Sequence, residues 1–153
     1  PDVVPCDECP SDVFEHFERA LNTYPDIDKV GFSLRIDDIP EHYSHAQDVV
    51  KWESQWWLDE RYPGFFFSPI DTTFAMYRPG EGHLNHRSLR CAPPYVARHM
   101  PWYENSSLPN EELEYYLAHA DSLIINWDAK VLPANLRAQI NNMRSRYSRA
   151  QSR

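Results

Sequence analysis

Glycine is scarce in this chain: 4 in 153 residues, against 13 prolines. So little glycine excludes a glycine-rich linker, a collagen repeat and a phosphate-cradling loop, each of which depends on close backbone approach. Cysteine is scarce as well. The three present, Cys6, Cys9 and Cys91, make an odd count and rule out a disulfide scaffold. A reducing compartment, the cytoplasm, is therefore the expectation. No apolar run approaches the roughly 18–20 residues of a membrane-spanning helix, so no membrane span is expected. The opening Pro-Asp-Val-Val-Pro lacks Met, a basic region and an apolar region, and reads as a cut from something longer rather than a targeting peptide.

Positive charge is also short, with Lys+Arg 15 against Asp+Glu 23 and a net charge of −8. Its placement is uneven. Lys130, Arg137, Arg144, Arg146, Arg149 and Arg153 give residues 129–153 a charge of +6 with no acid, which leaves −14 on the preceding 128 residues. An acidic body repels phosphate backbones, so nucleic acid is not expected as a partner. What the chain does have is aromatic and aliphatic bulk: 7 Phe, 9 Tyr and 5 Trp within a 42% hydrophobic composition. That is enough for a buried core in a single domain. There is no internal repeat and no low-complexity segment.

Periodicity predicts a helix over Ser11–Tyr24, where Val13, Phe17, Leu21 and Tyr24 form one stripe. Lys29–Ile36 alternates as a strand and runs into the turn Asp37-Asp38-Ile39-Pro40. His45–Glu60 is helical in character, with Val49, Trp52, Trp56 and Trp57 near one side. A short extended piece begins at Phe65, and a strand is expected over Asp71–Tyr77. Pro79–Pro94 reads as a loop with a brief extended stretch at Leu89–Cys91. Glu111–Ala120 is a short helix, and Leu123–Trp127 an apolar fragment. In the tail, Leu132, Leu136, Ile140, Met143 and Tyr147 mark an amphipathic helix.

Three constellations could carry chemistry. Cys6-x-x-Cys9 could join His42 and His45, or His83 and His86, in a four-ligand zinc site. Asp2, Asp37, Asp38 and Asp71 lie at strand ends, where α/β proteins place metal ligands and general bases. Turn chemistry and capping explain the same acids equally well. Finally, Tyr95 to Tyr103 mixes aromatics with Arg98 and His99, and Trp52, Glu53, Trp56 and Trp57 form a second such mixture. A sugar ring stacks its C–H face on Trp or Tyr and needs charged or amide partners for its hydroxyls.

The strings Pro-Asp-Val-Val-Pro, Lys29 to Pro40, Trp52-Glu53, Ile70 to Arg78 and Ala97 to Tyr103, in that order, resemble the C-terminal, acceptor-side half of GT-A-fold glycosyltransferases. The resemblance spans roughly residues 1–127, with 128–153 as a basic amphipathic tail helix. It implies an α/β fold, a GT-A-like mixed sheet flanked by helices. It also implies transfer of a sugar from a nucleotide-sugar donor to a hydroxyl acceptor, as in surface polysaccharide synthesis. Asp2 would be the second acid of an Asp-x-Asp motif and, with His99, would bind Mn²⁺ or Mg²⁺. Asp38, Asp71 and Glu53 are the candidate general bases of an inverting transfer. Asp37, Trp52, Thr72, Thr73, Arg98, Trp102 and Tyr103 are the candidate substrate-binding residues. A half-sheet cut this way is expected to have its exposed edge covered by another copy, by a partner chain, or by the tail helix with its Leu132, Leu136, Ile140 and Met143 stripe. The rival expectation is a non-catalytic carbohydrate-binding or zinc-stabilised interaction module.

Overall fold

A computed structural model describes residues 2–70, 74–80, 87–105 and 111–119, with 134, 137 and 138. Asp71, Thr72, Thr73, His83, His86, the fragment Leu123–Trp127 and most of the tail helix lie outside the described residues. The fold is α/β, built on a mixed five-stranded sheet. In chain order the elements are β1 (Val3–Pro5), α1 (Val13–Thr23), β2 (Lys29–Leu34), α2 (Ala46–Ser54), β3 (Phe65–Phe67), β4 (Ala75–Tyr77), β5 (Ser88–His99) and α3 (Glu111–His119). One 3-10 turn, Gln55–Trp57, follows α2, and another, Met100–Tyr103, follows β5. Among the described residues no helix is long and apolar enough to cross a membrane.

β5 organises the sheet. It runs parallel to β2 on one side, while its other side takes β3 antiparallel along its first half and β1 antiparallel along its second. β4 closes the outer side of β2. The expected loop with a three-residue extended stretch is thus a twelve-residue strand. Pro93 and Pro94 hid it, because proline cannot donate to a ladder. The sheet accommodates them by a shift: Phe32 pairs with Cys91, but the next residue, Ser33, pairs with Val96. Residues 92–95 bulge out between those two pairs.

All six residues of β2 are buried, although the sequence alternates. A central strand covered on both faces has no solvent side. On one face Phe32 meets Phe17 of α1 edge-on, ring centroids 5.2 Å apart. Strand alternation sends Lys29, Gly31, Ser33, Arg90, Val96 and Arg98 to the opposite face. There Glu53 of α2 binds Arg90, and Trp57 packs on Phe66. Gly31 is required by this packing: a Cβ at that position would stand 2.9 Å from the Phe74 carbonyl oxygen and 3.2 Å from Ile70 Cδ1.

Among the described residues, the buried Lys29 and the half-buried Arg78 are held by backbone carbonyls, and the buried Arg90 by an acid and a carbonyl. Lys29 Nζ donates to the Ile70 carbonyl at 2.6 Å. Arg78 donates to the carbonyls of Leu21, Tyr24 and Ile27, closing the C-terminal end of α1, whose last turn has no basic residue of its own. At the other end of α1 the helix begins at Val13 rather than Ser11. The carboxylate of Asp12 accepts the Tyr95 hydroxyl at 2.9 Å and makes no cap bond to the helix.

Candidate functional site

The C-terminal end of β2 delivers Arg35, Ile36, Asp37 and Asp38 to the face that carries Arg98. The main chain fixes the placement, since Arg35 N–H donates to the Ala97 carbonyl at 2.8 Å. Arg98 Nε and Nη2 both donate to Asp38 Oδ2, at 2.9 and 2.7 Å. The Tyr103 hydroxyl, brought in by the second 3-10 turn, donates to Asp38 Oδ1. Arg35 Nε lies 3.3 Å from Asp38 Oδ2, donates to Asp37 Oδ1 at 2.9 Å, and Nη1 donates to Glu8 at 3.2 Å. Glu8 arrives from the loop between β1 and α1. Three of the expected residues, Asp38, Arg98 and Tyr103, therefore meet directly, with Asp37 one residue away.

These contacts set the protonation states. Partial burial pushes Asp38 up, but the bonds from Tyr103 and Arg98 outweigh it and hold the carboxyl below its usual range. Burial, and then the Asp38 carboxylate, push the Tyr103 phenol well up, so it stays a donor. Burial likewise raises the Cys6 thiol, against the opposing effect of Arg35 beside it. A carboxylate held ionised by three donors is a weak proton acceptor. In this geometry Asp38 orients neighbouring groups.

Beside this network lies a cleft of about 430 Å³. Trp57, Pro93, Pro94, Ile36 and Val96 give it an apolar wall, and Glu8, Arg35 and Asp37 give it a charged one. The bulge in β5 creates the site, because it lifts Pro93 and Pro94 out of the sheet just where β2 ends. The sequence points to Trp57 through its aromatic mixture with Trp52, Glu53 and Trp56, and does not point to Arg35 or Glu8 as site residues. Their signal is the meeting of three segments far apart in the chain.

Other expected residues lie elsewhere. Trp102 is a correction: only 2% of it is exposed, its ring tilts against His99 at 4.7 Å, and it belongs to the core rather than a binding surface. Glu53 closes on Arg90 inside the protein, so its carboxylate serves that pair. Trp52, half-buried, packs edge-on against Trp56 at 6.4 Å. Asp2 is level with Met100, whose N–H donates to its carbonyl at 2.6 Å, while Val3 stands opposite His99. Alternation therefore puts the Asp2 carboxylate on the Arg98 face and the His99 imidazole on the other.

Among the described residues no group of three or more His, Cys, Asp or Glu side chains is placed to hold a metal ion. The zinc set of Cys6, Cys9, His42 and His45 is not assembled, and all three cysteines are free thiols. Mn²⁺ and Mg²⁺ favour about six oxygen or nitrogen donors. Asp2 and His99, on opposite faces, do not make such a cage by themselves.

No family model matches the chain, and no curated protein and no solved structure matches it.

Proposed function

We propose that this chain forms the acceptor side of a GT-A-like glycosyltransferase, which moves a sugar from a nucleotide-sugar to a hydroxyl of a saccharide held in the cleft. The observation that supports this reading is the cleft's composition and place. An indole and two prolines beside Arg35, Asp37 and Glu8 combine a platform for C–H faces with partners for hydroxyls. It sits where parallel β2 ends, the usual position of α/β ligand sites. In this reading Asp71 serves as general base, Arg98 and Tyr103 keep Asp38 ionised, and Asp38 fixes the turn that presents Asp37. A divalent cation would neutralise the diphosphate leaving group, using donors beyond Asp2 and His99.

A second reading, a non-catalytic carbohydrate-binding module, is favoured by one observation. Two of the three candidate bases, Asp38 and Glu53, are tied to arginines.

The test combines saccharide binding with release of nucleoside diphosphate from a panel of nucleotide-sugars in the presence of Mn²⁺. Acceptor-dependent release that falls about 10²–10⁴-fold in Asp71→Asn supports the transferase. Saccharide binding with no release supports the binding module. Absence of saccharide binding overturns both.

A further inference from the structure

The cleft's charged wall is self-neutralising at its cation and not at its acids. Arg35 spends Nε on Asp37 and Nη1 on Glu8, and lies against Asp38 as well. Arg98 spends Nε and Nη2 on Asp38, with Asp7 at 3.8 Å from Nη1. Two guanidiniums thus face four carboxylates: Asp7, Glu8, Asp37 and Asp38. Three of these acids are well exposed, Glu8, Asp37 and Asp7 having 63%, 74% and 97% of their side chains accessible. An entering anion would meet exposed carboxylates before it met an arginine, and two of the three guanidinium nitrogens of each arginine are already engaged by acids.

Resting on the reading of the cleft as a saccharide site, we propose that it selects uncharged sugar rings and rejects hexuronates and phosphorylated sugars, with Glu8 and Asp37, tied across Arg35, as the residues that set this preference. The apolar wall of Trp57, Pro93 and Pro94 takes the C–H face of the ring, which neutral and acidic sugars share. Discrimination therefore falls to the rim, where like charges at a few Å oppose one another even under solvent screening.

The experiment uses the full 153-residue chain on an array of tetrasaccharides in matched pairs, each hexuronate beside its uncharged hexose counterpart, at low salt. Binding to at least one uncharged member, about tenfold weaker to its uronate partner, is the expected result. The double variant Glu8→Gln, Asp37→Asn should narrow that ratio toward one, and 0.5 M salt should narrow it in the wild type. Trp57→Ala should weaken both members alike. Equal or tighter uronate binding, or a ratio unmoved in the double variant, overturns the selectivity while leaving the saccharide site standing. Binding to no member of the array overturns the selectivity and the saccharide site together.

Discussion

Arg90 and Glu53 form an ion pair at 2.7 Å inside the protein, with only 2% and 4% of their side chains exposed. Arg90 also donates from Nε to the Pro69 carbonyl at 2.8 Å. One acid from α2 and one carbonyl from the chain after β3 thereby hold the Arg90 guanidinium that β5 carries into the interior. Removing Glu53 would take away the carboxylate that accepts from Arg90 Nη1 inside the protein. Glu53→Ala is expected to cost about 3–5 kcal/mol, measured by urea unfolding. The double variant Glu53→Leu, Arg90→Met should recover most of that loss. A loss below about 1 kcal/mol in the single variant would show that the pair carries little.

Gly31→Ala tests the close approach of β2 and β4. The added methyl would stand 2.9 Å from the Phe74 carbonyl oxygen and 3.1 Å from Ala75 Cβ. Backbone cannot swing aside as a side chain can, so a loss of about 1–3 kcal/mol is expected. Thermal unfolding of the two proteins side by side checks it, and an unchanged midpoint would mean the strands separate freely.

Asp38 links stability to acid. Its folded pKa lies below the ordinary aspartate value, so its ionised form is preferred in the native state. The sign follows: this stabilisation is fully present above the unfolded pKa near 3.9 and is lost as pH falls through the lower folded value. Asp38→Asn should therefore be less stable than wild type at pH 7, with the gap closing as pH drops below about 4. A gap constant with pH would assign the effect to hydrogen bonding alone.

His16 works in a different window. It stacks on Tyr95 at 3.8 Å and on Phe65 at 5.0 Å, and burial, then Arg19, lower its pKa from 6.5. The native state prefers neutral imidazole. Its contribution is present above about pH 6.5 and is lost as pH falls through the lower folded value. His16→Phe keeps the stack and removes the proton. The wild type should lose stability relative to this variant between pH 7.5 and pH 5, read from denaturation midpoints at each pH. Parallel curves would contradict the assignment.

Local pattern was enough for elements whose partners are near in sequence or whose faces are plain. The stripe Val13, Phe17, Leu21 describes α1 because those residues all face the core. Lys29 to Leu34 was legible as a strand, although not that both of its faces are covered. β5 was not legible, because Pro93 and Pro94 signal a break and only the skipped pairing with β2 lets the strand continue. Nor were the half-buried and buried cations: Arg78 reaches carbonyls at Leu21, Tyr24 and Ile27, and Arg90 reaches Glu53, contacts that no spacing rule announces. At the site, Asp37, Asp38, Arg98 and Tyr103 stood out by residue type at the ends of strands. Trp57 stood out only as one of an aromatic group with Trp52 and Trp56, and Glu8 and Arg35 did not, since a charged loop residue and a strand-end arginine look ordinary until the chain brings them together.

The pairing of β5 with both β1 and β3 also bears on the order in which the protein can be assembled during translation. Val4 finds its partner in Arg98, 94 residues later in the chain. At about 5–20 residues per second, the ribosome exposes the first strand roughly 5–20 s before the strand it joins has been made. Phe65 to Phe67 waits for a shorter interval, for Leu89 to Cys91. A product stalled before Ser88 would carry two apolar segments with no native edge to join, and would be a substrate for holding chaperones or proteases rather than a slowly folding domain.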